Sequence, residues 1–335
     1  MPPVAGIVLG RRYEDYGGDF EAWRGYGEEL GGYEKALRQY AIDRVEIAQK
    51  LEHDLIYCVP NPPESVLRKT PGPPEKGRPG FEDPVEAVKQ NNAFAREGLT
   101  KPLREFMVYP FLREEMAKRD MDLPIFAPAF SHGIWTNTDL MQTMILEPEA
   151  AHEHFSLCTE SSLRLVDAYA RLGVEIIGVG GDFAGNAPLI SPEMYRDFIM
   201  PELKKVTDII RSKGKFSVNA SDGKLWDVAD YFLIGTGVDG YGEIDAGAGM
   251  DLGMLKQKYG ERITFLGNID CGRLLSFGTE EEIRGTVRRC LEDGMGKGGH
   301  IFTASNAIAG SVGIKNYLYM VNEYRGFFGL PKIGF

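Results

Sequence analysis

Cysteine and histidine, the soft ligands that transition metals favour, are scarce in this sequence. The 335 residues include four cysteines and five histidines, and no CxxC, HxC or HExxH motif occurs. We therefore predict no tightly bound metal. The cysteines lie far apart, which favours free thiols in a reducing compartment over a disulfide framework.

Long apolar runs and an excess of positive charge are also missing. No stretch approaches the length of a membrane span, and the formal net charge is -11 with an isoelectric point near 5.1. This acidity argues against a general surface for nucleic acid or anionic membranes. The N-terminus lacks a charged-then-apolar signal pattern, so we expect a cytoplasmic protein.

What the sequence does contain is a series of short apolar or β-branched runs that alternate with amphipathic segments. Such alternation, with a glycine just past the helix ends, favours a (β/α)8 barrel, and we expect residues 1–335 to form one such domain. An open doubly wound sheet is the alternative. Long excursions follow the first two runs, and the second excursion is Pro60–Asp83. The eight predicted strands are Val4–Leu9, Leu55–Val59, Ile125–Ala127, Val174–Val179, Lys215–Val218, Val238–Tyr241, Ile263–Leu266 and His300–Thr303.

Two of the amphipathic segments carry clear helix start signals. Ser191 precedes Pro192 and Glu193, which predicts an N-cap followed by proline in the first turn of a helix over Pro192–Lys213. Thr279 stands three residues before Glu282, the spacing of a capping box, which predicts a helix over Glu280–Glu292.

The active site of such a barrel lies at the carboxyl ends of its strands. Four acids and three asparagines follow the predicted strands: Asp182, Asp222, Glu243, Asp270, Asn219, Asn268 and Asn306. Grouped carboxylates raise one another's pKa, which suits one of them to donate a proton. The three aspartates also have a plainer interpretation, because Asp182 and Asp270 could cap local backbone and Asp222 could belong to an Asp-Gly turn.

Further candidates lie beside the same strand ends. His132, next to Gly133, is a candidate catalytic residue or an ordinary loop residue. The aromatic residues near the first, third and sixth strands could supply apolar walls. Side chains that we assign to the candidate site on position are Arg12, Tyr13, Tyr57, Trp135, Phe183 and Tyr241.

Two long stretches resemble the uroporphyrinogen decarboxylase superfamily. They are "GVGGDFAGNAPLISPEMYRDFIMPE" at 178–202 and "EIDAGAGMDLGMLKQKYGERITFLGNID" at 243–270. The resemblance covers nearly the whole chain and is strongest from Leu172 to Gly329. It implies a (β/α)8 barrel with one of two chemistries, which are cofactor-free decarboxylation of a porphyrinogen and methyl transfer to or from a corrinoid protein.

Departures from the family patterns favour methyl transfer. In "VLGRRY" Arg12 matches one arginine of the decarboxylases' paired motif, but Val8 replaces the other, and "IYCVPN" lacks their aspartate. The thiol-directed methyltransferases bind zinc through HxC, where this chain has Asn219 and Ser221. Generation of a thiolate is therefore not expected.

Of the reactions of this superfamily, the one that remains is methyl transfer from a donor substrate to a corrinoid, the first step of corrinoid-dependent demethylation. The resemblance then implies transfer from a methoxylated aromatic substrate to a corrinoid carried by a partner protein, with Asp182 or Glu243 protonating the leaving oxygen. Asn219, Asp222 and Asn268 would hold polar groups of the substrate. Tyr13, Tyr57 and Trp135 would pack its ring. The alternatives are a cofactor-free decarboxylase and a barrel without catalysis, and whether the chain forms a homodimer stays open.

Overall fold

The computed structural model describes residues 2–67, 83–296 and 298–335. Most of the predicted excursion Pro60–Asp83 therefore lies outside the described residues. The strands in the described ranges are β1 (Ile56–Tyr57), β2 (Ile125–Pro128), β3 (Ile176–Gly180), β4 (Phe216–Ala220), β5 (Gly240–Gly242), β6 (Thr264–Ile269) and β7 (His300–Ala304). The α-helices are α1 (Pro2–Leu9), α2 (Phe20–Leu30), α3 (Tyr33–Leu51), α4 (Pro84–Thr100), α5 (Val108–Lys118), α6 (Thr138–Leu146), α7 (Pro148–Arg171), α8 (Pro192–Met194), α9 (Met200–Ser212), α10 (Leu252–Tyr259), α11 (Leu274–Phe277), α12 (Glu280–Gly294) and α13 (Ile314–Phe327).

The seven strands of the described residues form one sheet in chain order, and each neighbouring pair is parallel. Helices connect successive strands, as parallel strands require. The predicted α/β barrel is confirmed. Because all the strands run in one direction, their carboxyl ends share one rim, and the segments after β3, β4 and β5 are neighbours there.

The first predicted strand is wrong. Val4–Leu9 belongs to α1, whose Val4, Ala5 and Val8 are fully or almost fully buried at helical spacing. The helix packs against α3 and α13, and the carbonyl of Val8 accepts a hydrogen bond of 3.0 Å from Lys50 Nζ. A short apolar run fits a buried helix as well as a buried strand, so its pattern alone does not distinguish them.

The helix predicted over Pro192–Lys213 is present but divided. Ser191 caps α8, a π-helical turn spans Tyr195–Ile199, and α9 follows. Pro201 has no N–H to donate, so the regular hydrogen-bond ladder is interrupted at this point. The capping box at the start of α12 is confirmed, since Thr279 Oγ1 accepts from Glu282 N and Glu282 Oε2 accepts from Thr279 N at 2.8 Å.

The register of the sheet decides which side chains leave the rim. Asn219 is paired with Tyr241, and Tyr241 with Phe265, so these three side chains share one face. That face packs on the helical layer, because the Tyr241 ring meets the Phe232 ring edge-on with centroids 5.2 Å apart. Buried apolar residues from α1 to α13 form one contiguous cluster. Among the described helices, none combines the length and the apolar character that crossing a membrane requires.

Candidate active site

Three acids meet at the rim formed by the ends of β3, β4 and β5. Asp182, Asp222 and Glu243 are each partly buried, and one carboxylate oxygen from each lies within 4.8 Å of the other two. Each acid follows its strand by one to two residues, which is the position that the barrel geometry assigns to functional side chains. The structure thus brings together three of the four predicted catalytic residues.

Backbone conformation that is unfavourable for most residues allows this close approach. Gly180 ends β3 with φ +116°, and a Cβ atom there would lie 2.1 Å from Asn219 Oδ1. Only glycine therefore lets the end of β3 pack this closely on β4. Glu243 itself has φ +73°, a left-handed conformation that is uncommon for a residue with a side chain and that is often found at functional sites.

Hydrogen bonds hold two of the acids in place. Asp182 Oδ1 accepts from the backbone N–H of Asp222 at 3.0 Å, and Asp222 Oδ2 accepts from Asn306 Nδ2 at 2.9 Å. Asp245 accepts from the backbone N–H of Gly223 at 3.2 Å and from that of Ala248 at 3.0 Å. Asp245 therefore supports the loop that carries Asp222.

The electrostatic consequence is a carboxylic acid that stays protonated at neutral pH. Burial, followed by the negative charges of Asp222 and Asp182, raises the pKa of Glu243 to about 8. Burial and the charges of Asp182 and Asp245 raise the pKa of Asp222 to about 6, against the opposing hydrogen bond from Asn306. At pH 7 Glu243 is thus mostly neutral while Asp222 is mostly ionised.

Tyr57 and Trp135 are the predicted aromatic residues that remain accessible. Tyr57 ends β1, is 44% exposed, and meets the Phe126 ring edge-on at 5.1 Å. Partial desolvation and then the charge of Glu243 raise the pKa of its phenol, which places Tyr57 within electrostatic reach of the acids. Trp135, in the segment after β2, is 51% exposed. Both can contact a ligand from outside.

Three other predicted site residues are completely buried. Asn219 donates from Nδ2 to the carbonyl of Phe232 at 3.0 Å, so its amide faces the helical layer and not the rim. Phe183 packs on Tyr195 and Phe232. Tyr241 Oη has no hydrogen-bond partner among the described residues. These contacts give the three side chains a packing role beneath the acids.

His132 is buried and neutral. It is 1% exposed, and burial lowers its pKa to about 4, so the ring is a neutral imidazole at neutral pH and not an imidazolium. Its ring lies against Phe183 and beside Gly181, which immediately precedes Asp182. The catalytic role of His132 stays a prediction, and its contacts indicate that it positions the loop before Asp182.

The remaining asparagines and the fourth acid occupy different surroundings. Asn306 is exposed and reaches the rim through its bond to Asp222. Asn268, in β6, is 9% exposed. Asp270 accepts backbone hydrogen bonds from Gly272 at 2.8 Å and Arg273 at 3.1 Å, so its carboxylate caps the turn before α11, which was the plainer of its two interpretations.

Arg12 and Tyr13 are not brought to the acids by any contact in the described residues. Arg12 forms exposed ion pairs with Glu14 and Glu29. Tyr13 is buried, stacks on Tyr40 with ring centroids 6.3 Å apart, and donates from Oη to Asp15 Oδ2 at 3.1 Å. Their roles in binding substrate stay predictions without a structural contact to support them.

The residues present do not fit a thiolate-bound zinc. Asn219 faces the helical layer, and Ser221 is fully buried and donates from Oγ to the carbonyl of Asp222 at 3.0 Å. Neither is a soft ligand. Carboxylates of the kind that Asp182, Asp222 and Glu243 offer are hard ligands and could hold an ion such as Mg²⁺ or Ca²⁺.

Two residues near the rim were not included in the predicted site. Asp245 follows the sixth predicted strand closely enough to have been found by position. Arg44 lies on α3 and donates to the carbonyl of Tyr57. Its sequence surroundings, an ordinary helix with several other charged residues, contain no signal that sets it apart.

Comparison with known proteins identifies the family. The family model described as uroporphyrinogen decarboxylase (URO-D) matches residues 133–327. A uroporphyrinogen decarboxylase of Alcanivorax borkumensis is 25% identical over 171 residues, which are 50% of this chain and 45% of that protein. A methylated-thiol–coenzyme M methyltransferase of Methanosarcina mazei is 24% identical over 160 residues, 48% of this chain and 39% of that protein.

The match to these curated relatives thus extends over less than half of their own length. A solved methyltransferase from Methanosarcina mazei has the same fold, with a TM-score of 0.63 at 16% identity and 91% of each chain covered. The family model covers more than half of the present sequence. The chain therefore belongs to the uroporphyrinogen decarboxylase family.

Proposed function

We propose that this protein is a methyltransferase that takes a methyl group from a methoxylated aromatic compound and passes it to a corrinoid carried by a separate protein. The observation that carries the proposal is Glu243, a carboxylic acid whose pKa of about 8 keeps it protonated beside Asp182 and Asp222 at the barrel rim. An aryl ether needs a proton on its oxygen when the methyl group leaves, and a neutral carboxyl at physiological pH can supply it.

The reaction balances with one proton from the protein. The bond between the methyl carbon and the ether oxygen breaks, its electron pair stays on the oxygen, and the oxygen takes the proton of Glu243 to become a phenol. A reduced corrinoid supplies the nucleophile that accepts the methyl group. Ionised Asp222, next to Glu243, then favours return of a proton from solvent to Glu243, because two neighbouring negative charges repel.

The accessible aromatic residues fit a ring-shaped substrate. Tyr57 lies within electrostatic reach of Glu243 and stands against Phe126, and the residue is 44% exposed, so a ligand can contact it. Similarity to a methylated-thiol–coenzyme M methyltransferase and the shared fold of a methanogen methyltransferase support transferase chemistry in general. The absence of soft ligands at Asn219 and Ser221 favours an oxygen-bound over a thiol-bound methyl group.

The test is a reconstituted transfer assay. The purified protein is mixed with a reduced corrinoid protein and a panel of methoxyaromatic compounds, and methyl-cobalt absorbance is followed. The proposal expects the absorbance to rise only when this chain is present. A panel of ring-methoxylated compounds that gives no signal, with a corrinoid protein shown to accept methyl groups from its own partner, would contradict it.

The second candidate is a cofactor-free decarboxylase, which is favoured by the relatives named uroporphyrinogen decarboxylase. Against it stands the charge of the rim, because Asp222 and its neighbouring acids would repel the carboxylates of such a substrate. Release of carbon dioxide without any corrinoid, from a porphyrinogen or a smaller acid, would establish this alternative.

A further inference from the structure

Arg44 reaches the carboxyl end of β1 from the helix that precedes this strand. It lies midway along α3, is partly buried, and donates from one guanidinium nitrogen to the carbonyl of Tyr57, the last residue of β1. Its guanidinium also stands 6.0 Å from the centre of the Tyr40 ring. The side chain therefore points inward from α3 to the strand end, although most charged residues of a helix point to solvent.

The surroundings of Arg44 are nearly all uncharged. Within the residues that the structure describes, no carboxylate forms an ion pair with it, whereas Arg38 on the same helix pairs with Glu34 and Glu114. The groups that favour its charge most are the phenols of Tyr40 and Tyr13, the carboxylate of Asp15 and the thiol of Cys58, and His53, Tyr57 and Tyr317 also interact with it electrostatically. Asp15 is linked to Arg44 through Tyr13, whose phenol donates a hydrogen bond of 3.1 Å to Asp15 Oδ2.

A guanidinium in such a place is costly unless an anion completes its hydrogen bonds. Arg44 has five N–H donors; one nitrogen donates to the carbonyl of Tyr57 and the Tyr13 phenol is a second hydrogen-bonding neighbour, which leaves donors for a further partner. The planar fork of arginine matches a carboxylate, which it can bind through two parallel hydrogen bonds. The chemistry around Arg44 is therefore that of a site for a small carboxylate.

Tyr57 connects this site with the acids. Its carbonyl accepts from Arg44, while its phenol is close enough to Glu243 for the glutamate charge to raise the pKa of the tyrosine. Tyr57 is thus the residue that both groups reach, Arg44 through the backbone carbonyl and Glu243 through the phenol. An anionic ring compound can lie along Tyr57 in one orientation only, because the acids repel its carboxylate.

We propose that Arg44 binds the carboxylate of the substrate, which makes the substrate a methoxylated aromatic acid whose ether oxygen faces Glu243. This inference rests on the proposed methyl transfer for the identity of the ether. The binding of the carboxylate does not depend on it.

The affinities of two matched probes, measured by calorimetry, test the inference without any corrinoid. 4-Methoxybenzoate and 4-methoxybenzamide differ in charge but hardly in shape. The intact protein should bind the benzoate about tenfold or more tighter than the amide, since a hydrogen bond to a charged group contributes about 1.5–3 kcal/mol. Arg44→Gln should lose that preference while its affinity for the amide changes little.

Arg38→Gln is the matched control, because it removes an exposed arginine from the same helix, and it should keep the preference. Arg44→Lys should keep part of it, and this variant decides the question if Arg44→Gln does not fold as judged by circular dichroism. A wild-type protein that does not bind the benzoate more tightly than the amide, or a folded Arg44 variant with the full preference, would overturn the inference. Selective binding of benzoate without methyl transfer would leave the carboxylate site standing and remove the proposed function.

Discussion

Asp222 and Glu243, at the ends of adjacent strands, place carboxylate oxygens within 4.8 Å of each other, and Asp182 completes the group. Two negative charges at this separation in a partly buried site repel strongly, so the more buried environment of Glu243 retains its proton. One rim therefore holds both an acid that can donate a proton at neutral pH and a neighbour that is already ionised.

Removing the acidic proton of Glu243 should abolish most turnover. Glu243→Gln keeps the size and the hydrogen-bonding capacity of the side chain but cannot donate a proton to the leaving oxygen. We expect methyl transfer to fall about a hundredfold or more, the usual loss for a general acid. Glu281→Gln, an exposed glutamate in the first turn of α12, is the control that should leave the rate unchanged. A Glu243→Gln variant with wild-type rate would remove this residue from the role.

Asp182 should set the pH range of activity. Its charge contributes to the raised pKa of Glu243, so Asp182→Asn should move the alkaline limb of the rate profile to lower pH. Asn still offers the oxygen that accepts the hydrogen bond from Asp222. If Asp182 were itself the proton donor, the substitution would lower the rate about a hundredfold at every pH and not shift the profile.

Stability of the protein should fall as pH rises. Glu243 has a pKa of about 8 when folded and an ordinary value of 4.5, so between these values the folded state binds more protons than the unfolded state. The free energy of unfolding then decreases with increasing pH across this window, and Asp222, raised to about 6, acts in the same direction. Thermal unfolding should show a smaller decline for Glu243→Gln than for the wild type. An identical pH dependence in the two proteins would refute this assignment.

Chelation should not affect turnover. In the proposed reaction one carboxyl group donates a proton and the other two carboxylates are its charged neighbours. None of the three serves as a metal ligand, and the site lacks soft ligands for zinc. Prolonged treatment with EDTA, followed by removal of the chelator, should leave the rate of methyl transfer as it was. Loss of activity that a divalent cation restores would replace proton donation by a hard-ligand metal at the same three carboxylates.

Position along the chain was enough to find the group of acids. Strand order and direction determine that residues following successive parallel strands share a rim, so Asp182, Asp222 and Glu243 could be grouped from the sequence alone. Their individual roles could not, because the order of their pKa values depends on burial and on distances of a few ångströms. The structure separates Glu243 from Asp222 on these grounds.

Asn219 shows why strand ends are hard to place. The apolar run stops at Val218, but β4 continues to Ala220, so Asn219 lies inside the strand with its side chain on the helical face. The carbonyl of Phe232 accepts a hydrogen bond from its Nδ2, whereas its Oδ1 is buried without a partner among the described residues. The same one-residue alternation directs Tyr241 to the helical face, beside its register partner Asn219.

Arg44 could not be found because its function depends on tertiary contacts. It stands in "AIDRVEIA", where Asp43 and Glu46 are equally polar, and both of these pair with Arg11. Only the packing of α3 against β1 shows that Arg44 alone of these residues turns to the strand end. The helical identity of Val4–Leu9 was missed for a related reason, since packing against α3 and α13 decides it.

Titration of the Glu243 carboxyl tests the central claim most directly. The infrared absorption of protonated carboxyl groups is compared between the wild type and Glu243→Gln from about pH 5 to about pH 10, so that the difference isolates one residue. The account predicts a protonated carboxyl at pH 7 that disappears with a midpoint of about 8. A midpoint near the ordinary glutamate value, with no protonated band at neutral pH, would contradict it.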